Sequence, residues 1–580
     1  MKGPKTNSLF YGDNLEVLRE EIQDESVDLI YLDPPFNSNA NYNVLFKSPK
    51  GDSPTAQVEA FEDTWHWGQE AEREFSEILN QPNIEVSKVI DALSKFLGKN
   101  DMMAYLVMMA NRLLELHRVL KPEGSLYLHC DPTASHYLKI VLDAVFSPDC
   151  FQSEIIWRRT GSHNKASRWA PIHDTIFFFT KNPRNYTWNY PKRPYMKKHV
   201  TDNFVPNGSG GWRTNYYGNV LTGAGTRNGK SGKVWKGFDP TAKGRHWAIP
   251  GALWEDSGID PTGLDQIQKL NALFEAGYIK IEEGSAWPIY ERGIRPTDGP
   301  AAPDIWAFQP YTEGTVFGTE EGIDADVSWL KPKDQERLGY PTQKPISLLE
   351  RIIAASSKPG DVVLDPFCGC GTAVHAAEKL ERKWIGIDIT HLSISLIEKR
   401  LRDAFPQAVF DVHGTPKDIE SARDLALRDK YQFQWWACSL VNAQPYQGKK
   451  KGADGGIDGL IYFQDDKIAA KKIIVSIKGG NNIRVNMIRE LAHVVERENA
   501  AIGLFVTLSE ATKQMLSEAT KAGFYESKAT KKNFPKIQIL TIDSLLKGLQ
   551  RPLYPDLGGG GVTFKKARRE QKKQIQKDLF

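Results

Sequence analysis

Three short stretches of this 580-residue chain carry side chains whose types and spacing suit chemistry. The first is Asp33-Pro34-Pro35-Phe36, which closes the apolar run VDLIYL. An amine attached to an aromatic ring is a poor nucleophile, because its lone pair is delocalised into the ring. A carboxylate and a fixed backbone carbonyl that accept its two N–H bonds favour a reactive, pyramidal nitrogen. Asp33 supplies the carboxylate, the two prolines stiffen the backbone so that the Pro34 carbonyl can be aimed, and Phe36 offers a flat face to an extruded base. The second stretch is Asp365-Pro366-Phe367-Cys368-Gly369-Cys370-Gly371-Thr372, which again follows an apolar strand and opens a helix. Glycines in such a turn let the backbone approach a ligand closely. Asp388, ending the next strand KWIGID, is placed to accept from ribose hydroxyls. Strand, glycine turn, helix, strand and terminal acid together point to an adenosine-containing cofactor. The third stretch is Asp458 in GADGGIDG, followed by Ser476 and Lys478 in IIVSIKGG.

The elements that must hold these residues alternate. SLFYGD, NLEVLREEI and VDLIYLD read as strand, helix and strand; MAYLVMMANRLLELHRVL has helical spacing and runs through Lys121-Pro-Glu-Gly into the strand SLYLHCD. A further helix, SHYLKIVLDAVF, and the apolar stretch SEIIWRRT follow. Such alternation implies a mainly parallel sheet covered on both faces. Regular periodicity fades from about 160 to 335, then resumes with PISLLERIIAASS, DVVLD, AVHAAEKL, KWIGIDI and ISLIEKRLRDAF. The expected domains are 1–160 and 336–408 as two parts of one α/β domain, an inserted region 161–335, a second α/β unit 415–550, and a glycine linker with a basic tail at 551–580, read as a solvated or helical end.

The net charge of +3 conceals an asymmetry: from Arg158 to Trp247, 17 Lys and Arg stand against three Asp, so this window carries +14 and the rest of the chain −11. Aromatics are interleaved with those cations, including Trp169, Trp212, Trp235 and Trp247. That mixture suits phosphates and unstacked bases. Arg213, Arg227, Lys230 and Lys236 lie in a Gly-rich context from which base edges are reachable, and Arg158 and Arg159 open the window. The five scattered cysteines are read as reduced thiols without a metal. No apolar run is long enough for a signal core or a membrane span, so a cytoplasmic protein is expected.

The order of these blocks, with Asp33–Phe36 first, the basic insert next and the glycine turn last, resembles the β class of amino-group DNA methyltransferases. The likeness extends through GSLYLHCDPTASHYLKIVLD, EIIWRRT and GYPTQKPISLLERII, over about 1–160 and 335–405. It implies a Rossmann-like methyltransferase fold with an inserted target-recognition domain. It also implies S-adenosylmethionine, with Asp365, Pro366, Phe367, Gly369, Gly371 and Thr372 lining its pocket, Asp388 on its ribose, and Gln343 and Lys344 of the TQKP segment beside it. Asp33, Pro34, Pro35 and Phe36 would then handle a base flipped out of double-stranded DNA. Asp rather than Ser before Pro-Pro inclines the reading to N6 of adenine, with N4 of cytosine the alternative. The C-terminal unit resembles Mrr-type restriction endonucleases, an α/β PD-(D/E)xK-like core in which Asp458 would hold Mg²⁺ and Lys478 orient water. Ser476 departs from that pattern, which has Glu or Gln there, and Asp454 or Glu420 are the candidates for a second carboxylate. A bifunctional protein that both methylates and cuts is therefore a second reading. The family further implies a prokaryotic or phage setting, a homodimer and a restriction-system partner.

Overall fold

The computed structural model describes residues 7–35, 41–46, 56–62, 66–161, 167–193, 195–206, 212–217, 221–294, 299–306, 327–331, 333–340, 342–446, 455–465, 470–555 and 563–570. They divide into two units: residues 190–303 belong to one, and all other described residues to the other.

The larger unit contains a sheet of nine strands: β1 (Asn7–Tyr11), β2 (Val27–Leu32), β3 (Leu120–Cys130), β4 (Phe151–Arg158), β5 (His173–Thr180), β6 (Ile305–Trp306), β7 (Val362–Asp365), β8 (Lys383–Asp388) and β9 (Phe410–His413). Their spatial order is β6-β4-β5-β3-β2-β7-β8-β1-β9. Every pairing is parallel except those of β5, which runs antiparallel to β3 and β4. The central strands are apolar on both faces because both are covered, as parallel sheets require. Helix α1 (Asp101–Val119) buries Met103 to Ala110 against β2, β3 and β5, and its first turn is closed by the Asn100 side chain on the Met103 N–H. Helices α2 (Ile346–Ser356), α3 (Thr372–Lys379) and α4 (His391–Ala404) flank β7 and β8 in sequence.

The sheet reaches further than periodicity indicates. β5 and β6 come from the stretch assigned to the insert, and β9 lies beyond the expected close at 408. HDTIFFFT is a plain apolar strand, but the cations on either side of it dominate the window's charge.

In the smaller unit Trp235 and Trp247 are buried, not presented on the surface. They build its core with Leu221, Leu253, Leu270, Leu273, Ile279 and Tyr290, and their indole N–H groups donate to Asn271 Oδ1 and the Lys233 carbonyl. The chain's two passages through its base are zipped together: Arg193 N donates to Pro300 O, Ala302 N to Pro191 O, and Lys192 bridges Ala301.

A second sheet in the larger unit holds β10 (Gln444–Pro445), β11 (Gly459–Gln464), β12 (Ala470–Lys478), β13 (Ile502–Thr507) and β14 (Ile537–Thr541) in that order. β11 is antiparallel to β12, whereas β12, β13 and β14 are parallel. Helix α5 (Lys430–Leu440) starts on Asp429, whose carboxylate caps Tyr431 and Gln432. The described part of the tail, residues 551–555 and 563–570, holds no helix, and its second stretch is solvated in the middle but tied down at both ends. Thr563 is buried, with its hydroxyl between the Tyr462 N–H and carbonyl, and Glu570 pairs with Lys379 at 3.2 Å. No helix among the described residues is long and apolar enough to cross a membrane.

Candidate active site

Asp33 leaves the end of β2 and Asp365 ends β7; the two strands are neighbours, with Leu364 opposite Ile30. β8, which ends at Asp388, lies on the other side of β7. Parallel strands place their carboxyl ends on one edge, so Asp33 and the far later Asp365 and Asp388 line one cavity of about 250 Å³. Pro34, Pro35, Gln343, Lys344, Pro366, Phe367, Gly369 and Thr372 line it too. Phe36 lies outside the described residues. Gly371 is near rather than on the cavity lining, at the start of α3.

Each acid is held differently. Asp33 pairs through Oδ2 with Lys344, while its Oδ1 is buried with no hydrogen-bond partner among the described residues. Leaving a buried acceptor unsatisfied costs about 1–3 kcal/mol. Asp365 accepts from the Phe367 N–H, but burial, reinforced by Asp33 and Asp388, pushes its carboxyl up to about 8. Asp388 is raised by burial to about 6 even though it accepts from the Gly369 N–H, the Thr390 N–H and the Thr390 hydroxyl, each at 2.9 Å. The glycines are required. Gly369 has φ +52° and a Cβ there would meet the Tyr340 ring at 3.2 Å; Gly371 has φ +74° and a Cβ would sit 2.8 Å from Ile397. Gln343 serves the loop that carries it, its amide accepting from Leu338 N and donating to Glu336 O.

Several lining residues escape sequence reading. Asp13 and Asn14 follow β1, and Asn14 donates to the Pro366 carbonyl while accepting from Arg112 at 2.6 Å. Arg112 also pairs with Asp13 at 2.9 Å. The signal was present: Gly12-Asp13-Asn14 is another strand-turn-helix junction of the kind at 365–372. Tyr31 lines the cavity, and its hydroxyl meets His129 Nδ1 at 2.9 Å; His129 Nε2 meets the buried Asp174 at 3.1 Å. Only strand register unites these three. With Asp13, Asp33, Asp365 and Asp388 against Arg112 and Lys344, the lining carries more acid than base. A cationic adenosine derivative suits it, and a dinucleotide's pyrophosphate does not.

The cations expected at nucleic acid fall into two groups. Arg227 is exposed; Lys230 pairs with Asp265 at 2.5 Å, and Lys236 lies over the Phe274 ring at 4.1 Å. Arg159 pairs with Asp174 at 3.0 Å and Arg158 lies over Trp329 at 5.2 Å, so both have partners within the larger unit. The side chain of Arg213 lies outside the described residues. Trp169, by contrast, is 98% exposed.

Asp458 precedes β11 and is tied on both oxygens: Oδ1 accepts from Gln434 Nε2 at 3.0 Å and Oδ2 from the Ile477 N–H at 2.7 Å. Lys478 Nζ stands 3.9 Å away and Ser476 is buried. Glu420 is exposed and paired with Arg423, and Asp454 lies outside the described residues. Among the described residues no three His, Cys, Asp or Glu come together as a metal site. One saturated carboxylate does not fit a Mg²⁺ ion.

A family model described as DNA methylase matches residues 27–399, and one described as restriction endonuclease matches residues 427–543. Type II methyltransferase M.EcaI of Enterobacter cloacae is 28% identical over 304 residues, which is 51% of this chain and 57% of that protein; the chain thus spans little more than half of that relative. DNA adenine methyltransferase YhdJ of Escherichia coli K12 is 22% identical over 400 residues, 69% of this chain and 84% of its own. Among solved structures, a DNA modification methylase of Thermus thermophilus complexed with S-adenosyl-L-methionine is 14% identical and covers 71% of this chain and 99% of its own, with a TM-score of 0.31.

Proposed function

This chain belongs to the DNA methylase family whose model spans residues 27–399, and on that premise we propose that it methylates N6 of an adenine flipped out of duplex DNA. The donor is S-adenosylmethionine, which when bound supplies an electrophilic methyl group on a sulfonium. Asp365, Asp388 and the Gly369 turn would hold its adenosine part, in a lining whose acidity favours a cation.

The observation that carries the reading is the buried, unsatisfied Asp33 Oδ1 on the wall shared with the glycine turn. An exocyclic amine brings the hydrogen that this oxygen lacks, and the aspartate, held at a strand end, needs no reorganisation to receive it. Pro34 fixes the adjoining carbonyl for the amine's second N–H. Lys344 balances the charge of Asp33 through Oδ2 and leaves Oδ1 to the base. Base extrusion costs a few kcal/mol, offset by contacts in the pocket. The 17 cations between Arg158 and Trp247 supply attraction to the phosphate backbone.

The test is to express the chain in a host without DNA methylation and analyse the digested DNA as nucleosides. N6-methyladenine is expected, and it disappears with Asp33→Ala. N4-methylcytosine in its place would overturn the base assignment, and no methylated nucleoside at all would overturn the reaction.

A further inference from the structure

One helix of the restriction-endonuclease-like region touches both carboxylate sites. On α5, Gln434 donates to Asp458, as described above. Two residues before it, the Gln432 side chain accepts from the N–H of His391, the first residue of α4, at 3.0 Å. That N–H is one of the donors a helix start leaves without an internal partner, and it lies directly after Asp388 and Thr390 of the cavity wall. One residue beyond Gln434, Trp435 is buried in a cluster with Tyr340, Cys370, Leu392 and Leu396. Tyr340 and Cys370 line the cavity, and the Tyr340 ring is the group against which Gly369 packs. Phe564 of the tail joins the same cluster, and Lys565 donates to the Asp334 carbonyl on the segment leading to Tyr340.

We propose that the restriction-endonuclease-like region backs the wall of the cofactor cavity from behind: Trp435 is a positioning residue that holds Tyr340 on the glycine turn, and the Gln434–Asp458 bond fixes the helix that carries it. Asp458, where an active nuclease would hold metal, here serves as an anchor. The geometry is one of continuity. Asp458, Gln434 and Trp435 form an unbroken run of contacts ending on cavity residues. The inference rests on the reading of that cavity as the S-adenosylmethionine site.

The experiment measures S-adenosylhomocysteine binding to the full chain by calorimetry, with methyl transfer to DNA assayed in parallel. Trp435→Ala is expected to weaken binding about tenfold or more, a loss of the order that one displaced packing contact produces, with kcat at saturating donor within about twofold. Trp435→Phe restores most of the affinity, and Gln434→Ala weakens it about threefold. A merely structural role would lower the melting temperature without separating KM from kcat. If the wild-type chain fails to bind, the cofactor reading itself is wrong. If it binds, and Gln434→Ala and Trp435→Ala match it, the wall is refuted. Should Trp435→Ala not fold, Trp435→Phe and Gln434→Ala decide alone: wild-type affinity in both refutes the proposal.

Discussion

Asp33 and Asp458 are both aspartates that sequence patterns connect with catalysis, yet the fold treats them oppositely. Asp33 has one oxygen on a lysine and the other buried with no donor to it among the described residues. Asp458 has both oxygens filled by N–H donors of its own chain. A site kept for a ligand holds polar groups short of partners, at a cost in stability, and a structural site satisfies them. The difference separates an acid with an acceptor to spare from one whose acceptors are filled by its own chain.

The largest effect expected from this contrast is on chemistry. Asp33→Asn should lower the methyl-transfer rate constant roughly a thousandfold, the scale on which a positioned catalytic group acts. Radiolabel transfer to DNA at saturating donor measures it, and a loss below tenfold would erase the distinction. The matching change at the other aspartate should appear as stability. Asp458→Ala strands two donors, Gln434 Nε2 and Ile477 N, and should cost about 2–4 kcal/mol at about 1–2 kcal/mol for each stranded donor. Chemical denaturation reads that loss. Plasmid cleavage in Mg²⁺ that depends on Asp458 would break the comparison outright.

A third effect concerns pH. Asp365 and Asp388 are held up by burial to about 8 and about 6, so the folded protein binds protons there that the unfolded chain releases. Their contribution to stability is therefore full below about pH 4, the unfolded carboxyl range, and is lost as pH rises through about 6 and then about 8. A cationic ligand favours the ionised forms, so its affinity should rise about tenfold from pH 6 to pH 8.5 with protons released on binding. Calorimetry in buffers of different ionisation heat reads the release, and proton uptake would reverse the assignment. The smallest effect lies in the insert. With about six phosphates neutralised, log affinity for DNA should fall against log salt with a slope near −5. Arg227→Ala should flatten that slope by about one, and Arg159→Ala, already paired with Asp174, should leave it unchanged.

What could be read from the sequence follows from locality. Asp33 and the Asp365–Asp388 block were legible because strand, turn and following residue are contiguous, and a parallel sheet sends such turns to one edge. Tyr31, His129 and Asp174 were not, since they meet only through the register of β2, β3 and β5. β5 itself was hidden by the cations around it, and the pairing of Trp aromatics with those cations misread Trp235 and Trp247, which the insert needs for its own core. Trp435 looked like part of a separate unit, because no pattern within α5 reveals that it is buried in a cluster with Tyr340 and Cys370.

The zipped base of the insert, where Lys192 bridges Ala301, has a bearing on ancestry and engineering. Because the chain departs and returns at nearly the same point, whatever lies between is a closed loop, and the entropy of closing it grows only with the logarithm of loop size. The stretch between 190 and 303 can therefore lengthen, shorten or be exchanged, in one lineage or by design, at little cost in closure entropy.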